Sequence, residues 1–202
     1  MEQRKLLIID NCIAGGKTTL INALKKRHLD WFTIEEGVPL DSKTDILALD
    51  KVSKEVSMSL FQDLVASNIY NAYNWFIKRS SDKIAIADRI WTSSKYYTQF
   101  LKGEQRPLQT FLSTIVHDAL KENNIKVYYV YLAGSVDELL NHIHMRNRSC
   151  EEWYTRLNLK KLIEIYQPFS DLEGLDYKIK TCQIGDEFYN NEVEIIEAFL
   201  NT

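Results

Sequence analysis

Residues Ile8–Thr19 read IIDNCIAGGKTT. An apolar run, Leu6–Ile9, stands directly before Gly15-Gly16-Lys17-Thr18-Thr19. A loop that wraps phosphates needs small residues, so that its backbone N–H groups face inward. It needs a helix N-terminus behind it, where unpaired N–H groups favour anions. It needs a lysine for the outer phosphates and a hydroxyl for Mg²⁺. Ala14-Gly15-Gly16-Lys17-Thr18 supplies these in order, with Thr19 continuing the turn. The usual spacing is Gly, four residues, then Gly-Lys-Ser/Thr, and here Asn11 stands in the first glycine position. After glycine, Asn best tolerates a left-handed backbone, so Asn11 is expected to adopt that conformation at the strand exit. An ordinary strand–helix turn with an exposed lysine is the competing reading, and the strand-and-helix context favours a nucleotide loop.

Outward from this loop the chain alternates strand and helix. Near-continuous apolar runs predict buried strands over Lys5–Asp10, Trp31–Glu35, Lys83–Ala87, Lys126–Leu132 and Lys178–Ile184. Helical patterns cover Gly16–His28, Lys54–Arg79, Leu108–Asn123, Val136–Asn147, Asn158–Tyr166 and Glu187–Leu200. The expected fold is α/β: a five-stranded parallel sheet flanked by helices, in one domain over 1–202 with a short lid around 142–155. Ligands on such sheets bind past the C-terminal ends of the strands.

The bulk numbers agree. The chain has 202 residues, 45% hydrophobic and 26% charged, enough for one domain with a core. A net charge of −3 predicts neither a nucleic-acid nor a membrane surface. Cys12, Cys150 and Cys182 lack metal-ligand spacing and leave one thiol over from any pair, so a reducing, cytoplasmic setting is expected. The N-terminal apolar run is far too short for a signal peptide or a membrane span.

Glu35-Glu36 follows the second strand, where a carboxylate beside a phosphate site can act as general base; a solvated turn acid is the alternative. Asp88-Arg89 follows the third, as an ion or hydroxyl ligand and a phosphate clamp, or as a plain surface ion pair. The helix after the fourth strand runs into Arg146-Asn147-Arg148, two arginines able to close over phosphates, or simply a basic helix end. Gln62 sits at the edge of an apolar stripe, and a half-buried amide there must find partners.

Taken together, the phosphate loop, Glu36, Phe61-Gln62, Asp88-Arg89 and Arg146-x-Arg148-x-x-Glu151 resemble the deoxynucleoside kinases and the closely related thymidylate kinases, over nearly the whole chain. The resemblance implies ATP and Mg²⁺ as donor and cofactor, with Asn11, Ala14, Gly15, Gly16, Lys17, Thr18 and Thr19 around the phosphates. It implies Thr18 and Asp88 at the metal, and Lys17, Glu36, Arg89, Arg146 and Arg148 in catalysis. Phe61, Gln62, Asp88, Arg89 and Glu151 would contact the acceptor, a nucleoside or nucleoside monophosphate. Glu36-Gly37-Val38 stands where that family has Glu-Pro-Val, and Asp88-Arg89-Ile90 where it has Glu-Arg-Ser. Asp88-Arg89 followed by Ser93-Ser94, and the chain length, are closer to thymidylate kinases. The expected activity is phosphorylation of a deoxynucleoside 5′-hydroxyl; a monophosphate kinase of the thymidylate type and a non-catalytic nucleotide-binding module are the alternatives. A homodimer through the long helix is compatible with the pattern but not required by it.

Overall fold

A computed structural model describes residues 3–35, 54–79, 81–102, 106–146, 154–166, 175–181 and 188–201. Five parallel strands, β1 (Lys5–Asp10), β2 (Phe32–Ile34), β3 (Ile84–Asp88), β4 (Lys126–Leu132) and β5 (Tyr177–Thr181), form one sheet in the order β2-β3-β1-β4-β5. The helices are α1 (Lys17–Arg27), α2 (Lys54–Lys78), α3 (Ser93–Lys102), α4 (Pro107–Glu122), α5 (Val136–Arg146), α6 (Arg156–Tyr166) and α7 (Phe188–Leu200). The expected parallel α/β architecture is present. Ends differ by a few residues: Trp31 and Glu35 fall outside β2, and β5 begins at Tyr177, ahead of the expected Lys178.

The central strand explains why its sequence reads as an unbroken apolar run. Leu6 and Ile8 pack on one face of the sheet, while Leu7 and Ile9 pack on the other. All four are fully buried, so the ordinary alternation with polar residues is absent. In β4, Val127, Tyr129 and Tyr131 join the first face and Tyr128, Val130 and Leu132 the second. Helices α1 and α7 close the second face through Leu20, Ile21, Leu24, Val193 and Ile196.

The chain runs from β1 by α1 to the sheet edge at β2, returns to β3, and only then crosses to β4. The connections leaving β1 and β3 therefore diverge to opposite sides. This opens a crevice past the C-terminal end of β1, where ligands of such sheets bind.

Helix α3 was not expected from the sequence. Its residues SSKYYTQFLK carry few aliphatic side chains, and its inner face is polar and aromatic: Ser93, Ser94, Thr98 and Phe100 are buried. Helix α5 starts on a capping box. Ser135 N–H donates to Glu138 Oε2 at 2.7 Å and Glu138 N–H to Ser135 Oγ at 3.3 Å, which holds its first turn. At the opposite edge, Arg4 donates to the carbonyls of Phe76, Ile77 and Asp82, pinning the end of α2 to β1.

Candidate active site

Between β1 and α1 the chain makes a tight loop. Ala14 has φ 54° and Gly16 φ 81°, both left-handed. Asn11 is not in that region, which corrects the expectation for it: the left-handed residue is Ala14, three positions on. Asn11 instead remains buried, 1% exposed, with its side chain turned into the loop against Gly15. A β-carbon on Gly15 would lie 1.6 Å from Asn11 Nδ2, so any other residue there would displace the Asn11 carboxamide. Gly16 caps α1 without a side-chain hydrogen bond, and the first turn of the helix contains no acid. The helix N-terminus thus keeps its affinity for an anion.

The loop is held by its carbonyls. Arg89 Nη1 donates to Asn11 O at 3.1 Å and Cys12 O at 3.4 Å. Tyr97 OH also donates to Cys12 O, and His142 Nδ1 lies 3.0 Å from Ala14 O. Because that carbonyl is an acceptor only, Nδ1 carries the proton. Among the described residues no hydrogen bond uses the N–H of Ala14, Gly15 or Gly16. A loop with its acceptors tied and its donors spare suits phosphate.

Lys17 is 8% exposed, with Nζ 3.0 Å from Asn11 Oδ1 and 3.7 Å from Asp88 Oδ1. Thr18 and Thr19 are exposed on the first turn of α1. Asp88 Oδ1 has no hydrogen-bond partner among the described residues. Asp88 and Lys17 therefore share one mouth of the crevice.

Behind them lies a buried set that sequence reasoning missed. Asp10 ends β1 and is fully buried. Its Oδ2 accepts from Tyr129 OH at 3.2 Å and from Ile90 N–H at 3.3 Å, while Oδ1 has no hydrogen-bond partner among the described residues. Burial raises its pKa to about 6, against the pull of the Arg89 and Lys17 charges. An acid closing an apolar strand just before a phosphate loop was the available signal. Arg89, 7% exposed, also reaches Tyr166 OH at 3.4 Å and stacks over the Tyr97 ring at 5.0 Å. Its backbone is left-handed, φ 81°, and its carbonyl accepts from Tyr73 OH at 2.8 Å. The Arg89 guanidinium is thus a strut beneath the loop. His142, one turn before Arg146 on α5, was also missed; the i, i+4 spacing of the two is the trace it left in the sequence.

On the acceptor side, Gln62 is 7% exposed on α2, and its amide makes no hydrogen bond among the described residues. It lies eleven residues before Tyr73, hence about 16 Å along the helix from the residue that touches Arg89. Its neighbour Asp63 pairs with Arg106 at 2.9 Å and with Gln109 Nε2 at 3.2 Å, joining α2 to the start of α4. Phe61 belongs to α2, and Arg146 is exposed at the end of α5. Glu36, Arg148 and Glu151 lie outside the described residues. Glu35 is 82% exposed and 4.0 Å from Lys25, a solvated acid. Trp91 packs edge-on to Tyr73 at 5.8 Å and Trp31 stacks on His28 at 3.9 Å, so neither is a free stacking wall.

No helix among the described residues is long and apolar enough to cross a membrane. The family model described as Deoxynucleoside kinase matches residues 7–198. No curated protein matches the chain.

Proposed function

The chain belongs to the deoxynucleoside kinase family, a family of ATP-using phosphotransferases, and on that premise we propose how its own residues carry out the transfer. ATP is the donor and a deoxynucleoside the acceptor. In the reaction the acceptor O5′–H bond breaks, a bond forms between O5′ and the γ-phosphorus, and the bond from that phosphorus to ADP breaks.

The observation that carries the assignment of roles is the loop itself. Its carbonyls are tied from outside, the N–H groups of Ala14–Gly16 are spare, and Lys17 stands at the mouth facing Asp88. The β- and γ-phosphates lie in this cradle, with Lys17 on the oxygens that gain charge as the phosphoryl group moves. Arg146 and Arg148 close from the lid, and Arg89 keeps the cradle in shape. Glu36 takes the 5′-hydroxyl proton. Gln62 hydrogen-bonds the base edge, with Phe61 stacked on it and Glu151 on the sugar.

The residues also suit Mg²⁺. Asp88 Oδ1 lacks a hydrogen-bond partner among the described residues, and Thr18, next to Lys17 in the chain, is exposed on the first turn of α1. No group of three or more His, Cys, Asp or Glu gathers among the described residues, so the remaining ligands would be water and phosphate oxygens, as is usual for this ion. A bound Mg²⁺ would supply neutralising charge between the β- and γ-phosphates. The homodimer has its support in Leu64, Trp75, Leu108 and Phe111, exposed apolar residues of α2 and α4.

The deciding assay offers Mg-ATP with each deoxynucleoside and each deoxynucleoside monophosphate. Phosphorylation of the nucleosides, with a strong kcat loss in Glu36→Gln, is the expected result. Turnover of monophosphates alone, indifferent to Glu36→Gln, would move the assignment to the thymidylate type. Binding of ATP without any transfer would move it to the non-catalytic module.

A further inference from the structure

Asn11 and Gly15 have exchanged the places that the common loop spacing assigns them. The glycine missing at position 11 is present at 15, among the four variable positions. The structure gives the reason: the Asn11 carboxamide occupies the space in which a residue-15 side chain would stand. Relief of an overlap at 1.6 Å requires the Asn11 carboxamide to swing out of its place, which would break its contact with Lys17 Nζ.

The orientation of that carboxamide follows from chemistry. A lysine ammonium donates and never accepts, so the oxygen of Asn11 must face Lys17 Nζ, 3.0 Å away. The nitrogen then faces Gly15, inside the loop. It is buried in a residue only 1% exposed, and it has no hydrogen-bond partner among the described residues. An unpaired buried N–H₂ is costly unless a ligand completes it. The ligand suited to this cradle is an oxyanion.

We propose that Asn11 is a working part of the phosphate site: its Oδ1 positions the Lys17 ammonium, its Nδ2 donates to a phosphate oxygen of the nucleotide, and Gly15 is the seat that makes room for it. This rests on the reading of the loop as the ATP site. Asn11 thereby takes over, with a side chain, part of what backbone N–H groups do in the common loop. Gly15 is required for a reason that a motif search does not contain, namely the size of residue 11.

The test is a cycle of wild type, Asn11→Gly, Gly15→Ala and the double variant, with Asn11→Asp as a fifth protein. Each is measured for thermal unfolding without nucleotide, for Kd of Mg-ATP by calorimetry, and for kcat with a deoxynucleoside. Gly15→Ala should lower the unfolding midpoint and weaken Mg-ATP about tenfold or more, while the same change in the Asn11→Gly background should cost less than about threefold. Asn11→Gly alone should lower kcat about tenfold at a near-wild-type unfolding midpoint, because Lys17 loses its guide. Asn11→Asp keeps the shape and an oxygen for Lys17 but sets a negative charge against the phosphate, so Kd should rise about a hundredfold. A harmless Gly15→Ala, or an equal cost in both backgrounds, overturns the seat. Unchanged kcat and Kd in Asn11→Gly, or a harmless Asn11→Asp, overturns the working role. Should the unfolding and Kd cycles behave as described while no protein transfers phosphate, the kinase assignment falls and this inference stands.

Discussion

The two ends of the sheet are both rich in charge, and they treat it in opposite ways. At the N-terminal end, Lys5, Asp30, Asp82, Lys83 and Lys126 border a cavity of about 740 Å³. The charges there are of both signs and several are engaged. Lys5 donates to Leu200 O and Lys126 Nζ lies 3.3 Å from Tyr177 OH, while Asp82 Oδ2, which makes no hydrogen bond among the described residues, is ion-paired with Arg79 Nε at 3.1 Å. At the C-terminal end the polar groups are more deeply buried. Asp10, Asn11, Lys17 and Arg89 are all under 9% exposed, and Asp10 Oδ1, Asn11 Nδ2 and Asp88 Oδ1 lack hydrogen-bond partners among the described residues. Buried groups left incomplete mark where a ligand completes them, because an unmade buried hydrogen bond is the expensive case.

The largest test of this contrast is Lys17→Ala. It should reduce turnover about a thousandfold or more while the unfolding midpoint moves little, since the ammonium acts on charge that develops in transfer. Wild-type turnover in that variant would place the chemistry elsewhere. Next comes Gln62→Leu. The kcat/KM for the preferred deoxynucleoside should fall about a hundredfold and preference among bases should flatten, with Kd for ATP unchanged. An unaltered preference profile would return Gln62 to the role of a helix-boundary amide.

Asp10 sharpens the comparison through pH. Its native carboxyl titrates near 6, raised by burial from 3.8. Between those values the native state holds a proton that the unfolded chain has released, so this group's contribution to stability falls as pH rises through that window. Asp10→Asn removes the penalty. It should raise the unfolding midpoint by about 5 °C at pH 7.5 and by much less at pH 4. A gain that is equal at both pH values would show that Asp10 is not buried as a titrating acid. The smallest effect belongs to the opposite end: Lys83→Ala should leave kcat/KM within about twofold and stability within about 0.5 kcal/mol. A large loss there would give the N-terminal cavity a function.

The parts of this molecule legible in the sequence were those with a strong local pattern. Leu6–Ile9 announces a strand buried on both faces, and Gly15-Gly16-Lys17-Thr18 announces the phosphate loop. The ladder of five strands follows from counting such runs. Helix α3 escaped because its packed side is built of aromatic rings, Tyr96, Tyr97 and Phe100, beside buried serine and threonine, and not of an aliphatic stripe. The same limit hid the tyrosine set behind the site. Tyr97, Tyr129 and Tyr166 are far apart in the chain and meet Asp10 and Arg89 only after the sheet has formed. The Asn11 backbone was misjudged for a similar reason: the preference for a left-handed turn is local, whereas Arg89, 78 positions away and brought near by strand pairing, holds the Asn11 carbonyl and so helps fix the path there.

Arg89 carries a consequence for how this chain can drift. Its backbone, at φ 81°, suits glycine or asparagine. Its side chain must be a planar fork, because the flat guanidinium lies over the Tyr97 ring while Nη1 donates to the carbonyls of Asn11 and Cys12. No amino acid meets both demands. Glycine or asparagine would relax the turn and drop the tether; lysine would keep the strain and lose the fork. Every single substitution is therefore a step down, and the position is locked by a conflict between main chain and side chain.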